Sequence, residues 1–293
     1  MRRDHPLAPI VVAVVAIALL SVMDGAMKGA SLALGAYSAM LWRAMVSTAV
    51  TLPLWLAGRT GWPVANALRV HLLRGVIVAG MAVLFFHSLT LLPLAQAIGI
   101  SFFAPLISLW LAAVLLKETI APAAIVASLV GLAGVAVICW PELEGGGGPG
   151  RVEGIAAVLA SALLYALNLV LARRQALLAR PREIAFFGNA VTLAVLAPFA
   201  AWFLRAPDAA AMTWVGVSSA LSITAALLLA WAYARAEAQV LVPLEYSAFV
   251  WAAAVGWLVF EEAVSRTTLV GVALIVAACL VAARRSPPEP AVA

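Results

Sequence analysis

Charged residues are scarce in this chain, and acidic residues are the scarcest. Asp and Glu together number 13 of 293 residues, Lys and Arg add 18, and the charged share is 11%. A soluble domain has about a quarter charged residues and roughly half apolar ones. Here 66% of residues are hydrophobic and the mean hydropathy is +1.10. The lack of charge excludes an ordinary soluble domain and predicts a protein embedded in a bilayer.

The signatures of several enzymes and pumps are also missing. The chain has no His-Glu-x-x-His motif and no phosphate-binding loop, and its only aspartates are Asp4, Asp24 and Asp208. These absences exclude a zinc protease of that type, an ATP-driven pump and a prenyltransferase built on aspartate clusters. We therefore expect a protein that is not an enzyme and that has no cofactor and no metal.

Cysteine is rare, and the basic residues are dispersed. Cys139 and Cys279 stand far apart in apolar stretches, which favours two buried packing residues over a disulfide or a metal site. The net charge is +5, but Lys and Arg are spread over short connecting segments and form no basic face. We expect no nucleic-acid partner. The expected partners are the lipid bilayer and a small-molecule substrate, with the chain a monomer or a homodimer.

Apolar stretches divide the chain into ten candidate spans, each close to the roughly 20 residues that a helix needs to cross a bilayer. They cover residues 8–30, 36–57, 71–91, 94–116, 121–140, 153–173, 183–204, 213–234, 239–260 and 266–283. Lys and Arg, with Arg69 and Arg74 among them, concentrate in the segments on one side. By the positive-inside rule that side is the cytoplasm. We expect a multi-pass inner-membrane protein with both chain ends in the cytoplasm.

The two halves of the chain resemble each other. At a shift of about 144 residues, the segment that starts at Ala95 pairs with the one at Ala238, and the segment at Leu116 pairs with the one at Phe260. A glycine-rich linker, residues 145–150, lies between the halves. Five spans is an odd number, so the second half inserts upside down relative to the first. We expect an all-α membrane protein of ten transmembrane helices, built as two inverted five-helix repeats over residues 1–144 and 151–293.

Several short motifs recur in order along the chain. They are the Trp42-Arg43 pair, the run from Ala95 through Pro105 to Thr119, the Ala238-Gln239 pair, the run from Pro243 to Tyr246, the Glu261-Glu262 pair and Gly271. In this order they resemble the drug/metabolite transporter superfamily, in its EamA-like branch of ten-helix carriers. The resemblance implies an exporter or exchanger of aromatic and neutral amino acids or related metabolites, with a central cavity between the two halves. Alternating access is the mechanism we expect.

Ionisable side chains inside the spans are the first candidates for function, because each is costly to bury in a membrane. Asp24 and Lys28 lie four residues apart on one helix face, where they form a local ion pair at the entrance or contact a zwitterionic substrate. Arg43 either snorkels to the interface or pairs with Asp24. His87 and Glu245 have no charged neighbour in sequence, so a change of protonation or a contact with substrate is open to both.

Prolines and polar or aromatic residues supply the other candidates. Pro105 and Pro243 predict helix bends, and Pro105 leaves the carbonyl of Ser101 without its helical partner. Around the bends we expect Ser101, Phe103, Tyr165, Asn168 and Tyr246 to bind substrate together with His87 and Glu245. Glu118 and Glu262 precede the fifth and tenth spans and are expected to cap them.

Two other classes of function remain open from the sequence. One is an intramembrane enzyme without the motifs named above, and the other is a membrane interaction protein that transports nothing. Movement of a solute by the purified protein in liposomes separates both from a carrier.

Overall fold

The computed structural model describes residues 7–58, 61–116, 122–143, 150–236 and 238–284. All regular secondary structure within these ranges is helical. The helices are α1 Ala8–Leu34, α2 Ala36–Gly58, α3 Ala65–Leu91, α4 Leu94–Ser101, α5 Ala104–Leu116, α6 Pro122–Leu143, α7 Arg151–Leu178, α8 Pro181–Leu196, α9 Ala200–Phe203, α10 Ala209–Tyr233, α11 Ala238–Glu245, α12 Ala248–Phe260 and α13 Arg266–Arg284. A 3₁₀ turn, Ala197–Phe199, joins α8 to α9.

Seven stretches of the described chain are long and apolar enough to cross a membrane. They are Ala8–Leu34, Ala36–Gly58, Ala65–Leu91, Arg151–Ala172, Pro181–Phe203, Ala209–Tyr233 and Pro243–Phe260. Three further apolar stretches are shorter, namely Leu94–Ser108, Ile125–Pro141 and Arg266–Val281. The protein is therefore an all-helical, multi-pass membrane protein. Ten crossings stay a prediction.

Some of the sequence predictions fall on residues that the structure does not describe. These are the capping role of Glu118, the linker at 145–149 and the position of both chain ends. Gly150, the last residue of the linker, has a φ of 82° and directly precedes α7. That left-handed conformation suits glycine, which lacks a Cβ.

Two helical stretches are interrupted at single turns. Phe102 and Phe103 separate α4 from α5, and Tyr246 and Ser247 separate α11 from α12. Pro105 is the second residue of α5, where the missing N–H of proline costs little, whereas Pro243 lies inside α11 just before its break. The bends predicted at these prolines therefore lie two or three residues away from them.

The bundle is built from antiparallel helix pairs: α1 with α10, α3 with α7, α2 with α8, and α6 with α13. Side-chain contacts fix the direction of the α3–α7 pair, because Arg74 meets Asn168 while His87 meets Glu153. Between α6 and α13 the backbones touch at two glycines. A Cβ placed on Gly134 would lie 2.7 Å from the carbonyl oxygen of Gly271, so only glycine permits this approach.

The two ends of the bundle carry different residues. One end, here called the Glu262 end, holds the C-termini of α1 and α3, the N-terminus of α7 and the turn that contains Glu262. The opposite end, here called the Glu183 end, holds the C-termini of α2 and α7 and the N-termini of α3 and α8. The polar side chains described below lie at these two ends and between them.

Candidate functional site

Tyr165 of α7 is linked electrostatically to charged residues on three other helices. It interacts electrostatically with Glu245 of α11, Arg74 of α3 and Asp24 of α1. Together with Arg43 and Asn168, these residues are called the interior cluster below. They come from five helices and from both halves of the chain, so the fold brings together residues up to 221 positions apart, from Asp24 to Glu245. Of the predicted substrate-binding residues, Tyr165, Asn168 and Glu245 belong to this cluster.

Arg43 points into the bundle. Its Nη2 donates to Ser222 Oγ of α10 at 2.9 Å, and its guanidinium carbon lies 5.8 Å from the centre of the Phe86 ring. It interacts electrostatically with Asp24, the partner that one of the two sequence interpretations proposed. Its Nε is buried and has no hydrogen-bond partner among the described residues.

Arg74 belongs to the interior, and its assignment to a cytoplasmic segment at the start of the third span was wrong. The third helix begins at Ala65 and not near residue 71, so Arg74 lies more than two turns inside it. Its Nε donates to Asn168 Oδ1 at 2.8 Å, and its Nη1 donates to Gln175 Oε1. Asn168 and Gln175 are both buried. Hydropathy alone favoured an interfacial position, because a window of residues gives no information about a partner on another helix.

A hydrogen-bonded chain continues from Arg74 toward the Glu183 end. Gln175 Nε2 donates to His71 Nδ1 at 2.5 Å, and His71 Nε2 lies 2.9 Å from Glu183 Oε1. This arrangement places the imidazole proton on Nε2, where it is donated to the carboxylate. The His71 side chain is 0% exposed, and Glu183 lines a pocket of about 490 Å³ at the surface. Neither His71 nor Gln175 was predicted from the sequence, although the spacing of His71 and Arg74 puts them on one helix face.

Glu245 ends α11 at the second helix break. Its Oε1 accepts a hydrogen bond from the Tyr233 hydroxyl at 2.7 Å. The residue is exposed, yet it interacts with Tyr165 inside the bundle. Next to it, Tyr246 meets Phe102 of the first break edge to face, with ring centres 5.2 Å apart.

Lys28 does not pair with Asp24, so the predicted local ion pair was wrong. Its Nζ donates to Glu262 Oε1 and, at 2.7 Å, to the carbonyl oxygen of Leu92. Glu262 Oε2 accepts from the backbone N–H of Leu94 at 2.8 Å, at the start of α4. Glu262 therefore caps a helix of the first half and not the one that follows it in sequence. A pocket of about 410 Å³ lies against this contact at the Glu262 end.

His87 lies outside the interior cluster, and its contact with substrate stays a prediction. Its Nε2 lies 2.8 Å from Glu153 Oε1, and the two side chains are 40% and 65% exposed. It therefore has a charged partner on α7, and both groups are on the surface of the bundle. His87 has no charged neighbour in sequence, but in the fold Glu153 of α7 lies beside it.

Ser101 and Phe103 lie at the first helix break. Ser101 Oγ donates to the carbonyl oxygen of Ala97 at 2.9 Å, a bond within its own helix. Phe103 is half-buried and packs against the core, with its ring beside Gly131. Neither has a contact with the charged members of the interior cluster among the described residues.

Known proteins share both the sequence pattern and the fold of this chain. The sequence profile of the EamA-like transporter family matches the chain twice, over residues 7–140 and 152–284. A solved crystal structure shares the fold with a TM-score of 0.61 at 24% identity, over 96% of this chain and 100% of its own.

Relatives with a named solute cover most of the chain. The pseudopaline exporter of Pseudomonas aeruginosa is 28% identical over 281 residues, 94% of this chain and 95% of its own. The S-adenosylmethionine uptake transporter of Rickettsia bellii is 27% identical over 214 residues, 72% of this chain and 71% of its own. The riboflavin transporter of Brucella anthropi is 25% identical over 249 residues, 82% of this chain and 84% of its own.

These three names do not support an amino-acid exporter specifically, and they include both uptake and export. The family itself is established by the double match. As its motifs predicted, the chain belongs to the EamA-like transporter family, whose profile covers both of its halves.

Proposed function

We propose that this protein is a secondary carrier that moves amino acids or amino-acid derivatives across the inner membrane, by export or exchange. The observation that carries the proposal is the interior cluster. A charged side chain in the middle of a span costs about 3 kcal/mol or more. Four of them, Asp24, Arg43, Arg74 and Glu245, come from four helices. Three of the four interact electrostatically with Tyr165, and Arg43 interacts with Asp24. Such costly groups are expected where a polar solute passes between the helices and contacts them.

The substrate class follows from the mixture of charges and rings. Two cations and two carboxylates match a solute that carries both signs, and the rings of Phe102 and Tyr246 at the helix breaks suit an apolar or aromatic side chain. One named relative takes S-adenosylmethionine, which contains an α-amino acid group. These features favour aromatic and neutral amino acids and their derivatives as the substrates of this chain.

We also propose that all ten helical stretches cross the membrane as two inverted repeats. Equivalent elements in the two halves start 144 residues apart: α4 at 94 and α11 at 238, α5 at 104 and α12 at 248, α6 at 122 and α13 at 266. The helix breaks at 102–103 and 246–247 differ by the same number. The helix contacts show the same relation. Since α1 is equivalent to α7 and α10 to α3, the packed pair α1–α10 is equivalent to the packed pair α7–α3. These relations support a pseudo-twofold arrangement.

Alternating access gives the ends of the bundle distinct roles. With both chain ends in the cytoplasm, the Glu262 end faces outward and the Glu183 end faces inward. The contact of Lys28 with Glu262 and Leu92 then ties α1 to two turns and closes the outer side. Release of this contact, with closure of the Glu183 end, opens the interior cluster to the outside. Movement down a gradient is the simplest form of this cycle, and it needs no coupled ion.

Counterflow into liposomes tests the proposal. Purified protein is reconstituted in liposomes loaded with unlabelled L-phenylalanine, L-leucine or S-adenosylmethionine, and entry of the same labelled solute is followed. We expect transient, saturable accumulation of at least one of these, with the solute recovered chemically unchanged and no dependence on a pH gradient. Entry no faster than in protein-free liposomes for all three would contradict a carrier of this class, and a modified product would favour an enzyme.

A further inference from the structure

The hydrogen bonds that join Arg74, Gln175, His71 and Glu183, here called the His71 network, fix the position of every proton in it. Arg74 has N–H groups and no acceptor, so its contact with Gln175 requires the amide oxygen. The NH2 group of Gln175 then faces His71 and donates to Nδ1 at 2.5 Å. Since Nδ1 accepts, the imidazole proton lies on Nε2 and is donated to Glu183 Oε1 at 2.9 Å. The network therefore holds His71 in its neutral form.

Both nitrogens of the His71 ring are occupied, and the ring is shielded from water. Its side chain is 0% exposed, and it stacks on Phe187 with ring centres 4.9 Å apart and an angle of 13° between the planes. Gln175 is buried as well. A buried donor or acceptor that loses its partner is costly, because no water replaces the partner. Any change in the protons of His71 must therefore be accommodated within the network itself.

A second proton on His71 and the amide of Gln175 compete for the same lone pair. Protonation of Nδ1 turns it from an acceptor into a donor, so it would face the NH2 group of Gln175, which is also a donor. Rotation of the amide by half a turn would offer its oxygen to His71, but it would point the NH2 group at Arg74, which has only donors. In either orientation one contact is lost. A protonated His71 is therefore incompatible with the intact network.

The charges that face His71 come from its own helix and from α8. Glu183 of α8 contacts the ring and favours a second proton, whereas Arg74, one turn further along α3, opposes it. Other arginines at the Glu183 end are exposed: Arg69, Arg174, Arg180 and Arg182. The ionisable residues of α1 and α2 in the described ranges lie nearer the middle of the bundle or the Glu262 end, as does Tyr165 of α7: Asp24, Lys28, Tyr37 and Arg43. The remaining neighbour, α4, has no charged residue.

The network joins the two halves of the chain and is close to water. His71 and Arg74 lie in the first segment that the family profile matches, and Gln175 and Glu183 lie in the second. Glu183 lines the pocket of about 490 Å³ at the surface. A contact between the halves that requires a neutral histidine makes this arrangement of the halves dependent on pH. The arrangement is favoured at higher pH, and it loses stability as the pH falls through the range in which histidine titrates, about pH 8 to 5.

We infer that His71 is a proton-binding site that controls Arg74: a proton on His71 displaces Gln175, which then releases the guanidinium of Arg74. His71 and Gln175 are thus positioning residues, since they act through Arg74. The inference goes beyond the proposed function, and its effect on transport rests on that function. Protons act here by occupying one site and not by driving the solute, so the effect needs no pH gradient.

The pH dependence of counterflow, with equal pH on both sides of the liposome, tests this control. For the wild type we expect the KM of the transported solute to rise about fivefold or more when the pH is lowered from about 8 to about 5.5, with a smaller effect on kcat. His71→Gln keeps a donor for Glu183 and an acceptor for Gln175 but does not titrate, so its KM should be nearly independent of pH.

Gln175→Glu should reverse the dependence. Its carboxylate accepts hydrogen bonds from Arg74 and from a protonated His71 at the same time, so the KM should fall as the pH is lowered. This variant also covers the case in which His71→Gln does not fold. His87→Gln is the matched control, because His87 is an exposed histidine that also has a carboxylate partner. It should keep the pH dependence of the wild type.

Melting temperature in detergent gives a second readout that needs no transported solute. The wild type should lose stability relative to His71→Gln as the pH is lowered from about 8 to about 5.5, because its folded form disfavours the second proton. If a solute moves but its KM has the same pH dependence in the wild type and in His71→Gln, the inference is overturned and the carrier remains. If no solute moves, the proposed function fails, and a difference in melting temperature that stays constant with pH would overturn the proton site as well.

Discussion

Lys28 in α1 and Glu262 after α12 form an ion pair across 234 residues of sequence, at one end of the helical bundle. The pair is not isolated, because Lys28 also donates to the carbonyl oxygen of Leu92, and Glu262 also accepts from the N–H of Leu94. Four groups thus link α1, the turn before α4 and the turn after α12. The Lys28 and Glu262 side chains are 5% and 18% exposed. When these elements separate during transport, the contact between Lys28 and Glu262 must break. It is called the latch below.

Neutralising the latch should open the Glu262 end. In a background in which Cys139 and Cys279 are replaced by alanine, Ser31→Cys places a thiol one turn beyond Lys28 at a buried position. Glu262→Gln should raise the rate at which a membrane-impermeant maleimide labels this thiol in intact cells, by about fivefold or more. Glu261→Gln, at the neighbouring exposed position, is the control and should leave the rate unchanged. Equal rates in both variants would rule out a latch.

Stability should depend on whether one or both latch partners are lost. A buried charge left without its partner is strongly destabilising, by about 3 to 5 kcal/mol, whereas loss of both charges costs much less. We therefore expect Lys28→Met to lower the melting temperature in detergent more than the double variant Lys28→Met with Glu262→Gln. A double variant at least as unstable as the single one would show that the pair does not act as a unit.

Transport should also depend on how Arg74 is held. Gln175→Leu is close in size and removes the bonds to both Arg74 and His71. It should raise the KM for the transported amino acid about fivefold or more with a smaller effect on kcat, because the guanidinium of Arg74 loses one of its two amide partners. A purely structural role for Gln175 would instead lower the melting temperature and kcat together. The two outcomes are separated by measuring melting temperature and transport on the same preparations.

His87 should be dispensable. Its partner is Glu153 on the exposed surface of the bundle, and it lies outside the interior cluster. His87→Gln is therefore expected to leave the rate of counterflow and its pH profile unchanged. A pH profile that shifts in this variant would restore the role suggested by its sequence position.

Close contact between α6 and α13 should be sensitive to one methyl group. Gly271→Ala places a Cβ 2.5 Å from the carbonyl oxygen of Gly134, so the helices must move apart, at a cost of about 1 to 3 kcal/mol. Gly216→Ala in α10 is the matched control, since a Cβ there meets nothing within 4 Å. The control should melt at or slightly above the wild-type temperature, because alanine favours the helix. Equal melting of the two variants would contradict the close approach.

Sequence patterns located the helices well and their polar partners poorly. Apolar runs and prolines gave the stretches that became α1 to α13, and the predicted bends lie within three residues of the breaks. The predicted third span started at residue 71, which put Arg74 at its cytoplasmic end, whereas α3 starts at Ala65 and places Arg74 more than two turns inside it. Lys28 was assigned to the nearest carboxylate in sequence, although packing brings Glu262 to it. Hydropathy measures the affinity of a segment for lipid, and it contains no information about which helix covers which face.

The proposed inverted repeat underlies the transport cycle, because it relates the two halves that move against each other and, with both chain ends in the cytoplasm, puts the Glu262 end outside. Reporters fused to the two chain ends test it most directly, with an enzyme or fluorophore that is active on only one side of the membrane. Ten crossings predict that both reporters face the cytoplasm. If only the seven longer stretches cross, the C-terminal reporter lies on the opposite side from the N-terminal one, and that result would contradict the two-repeat carrier.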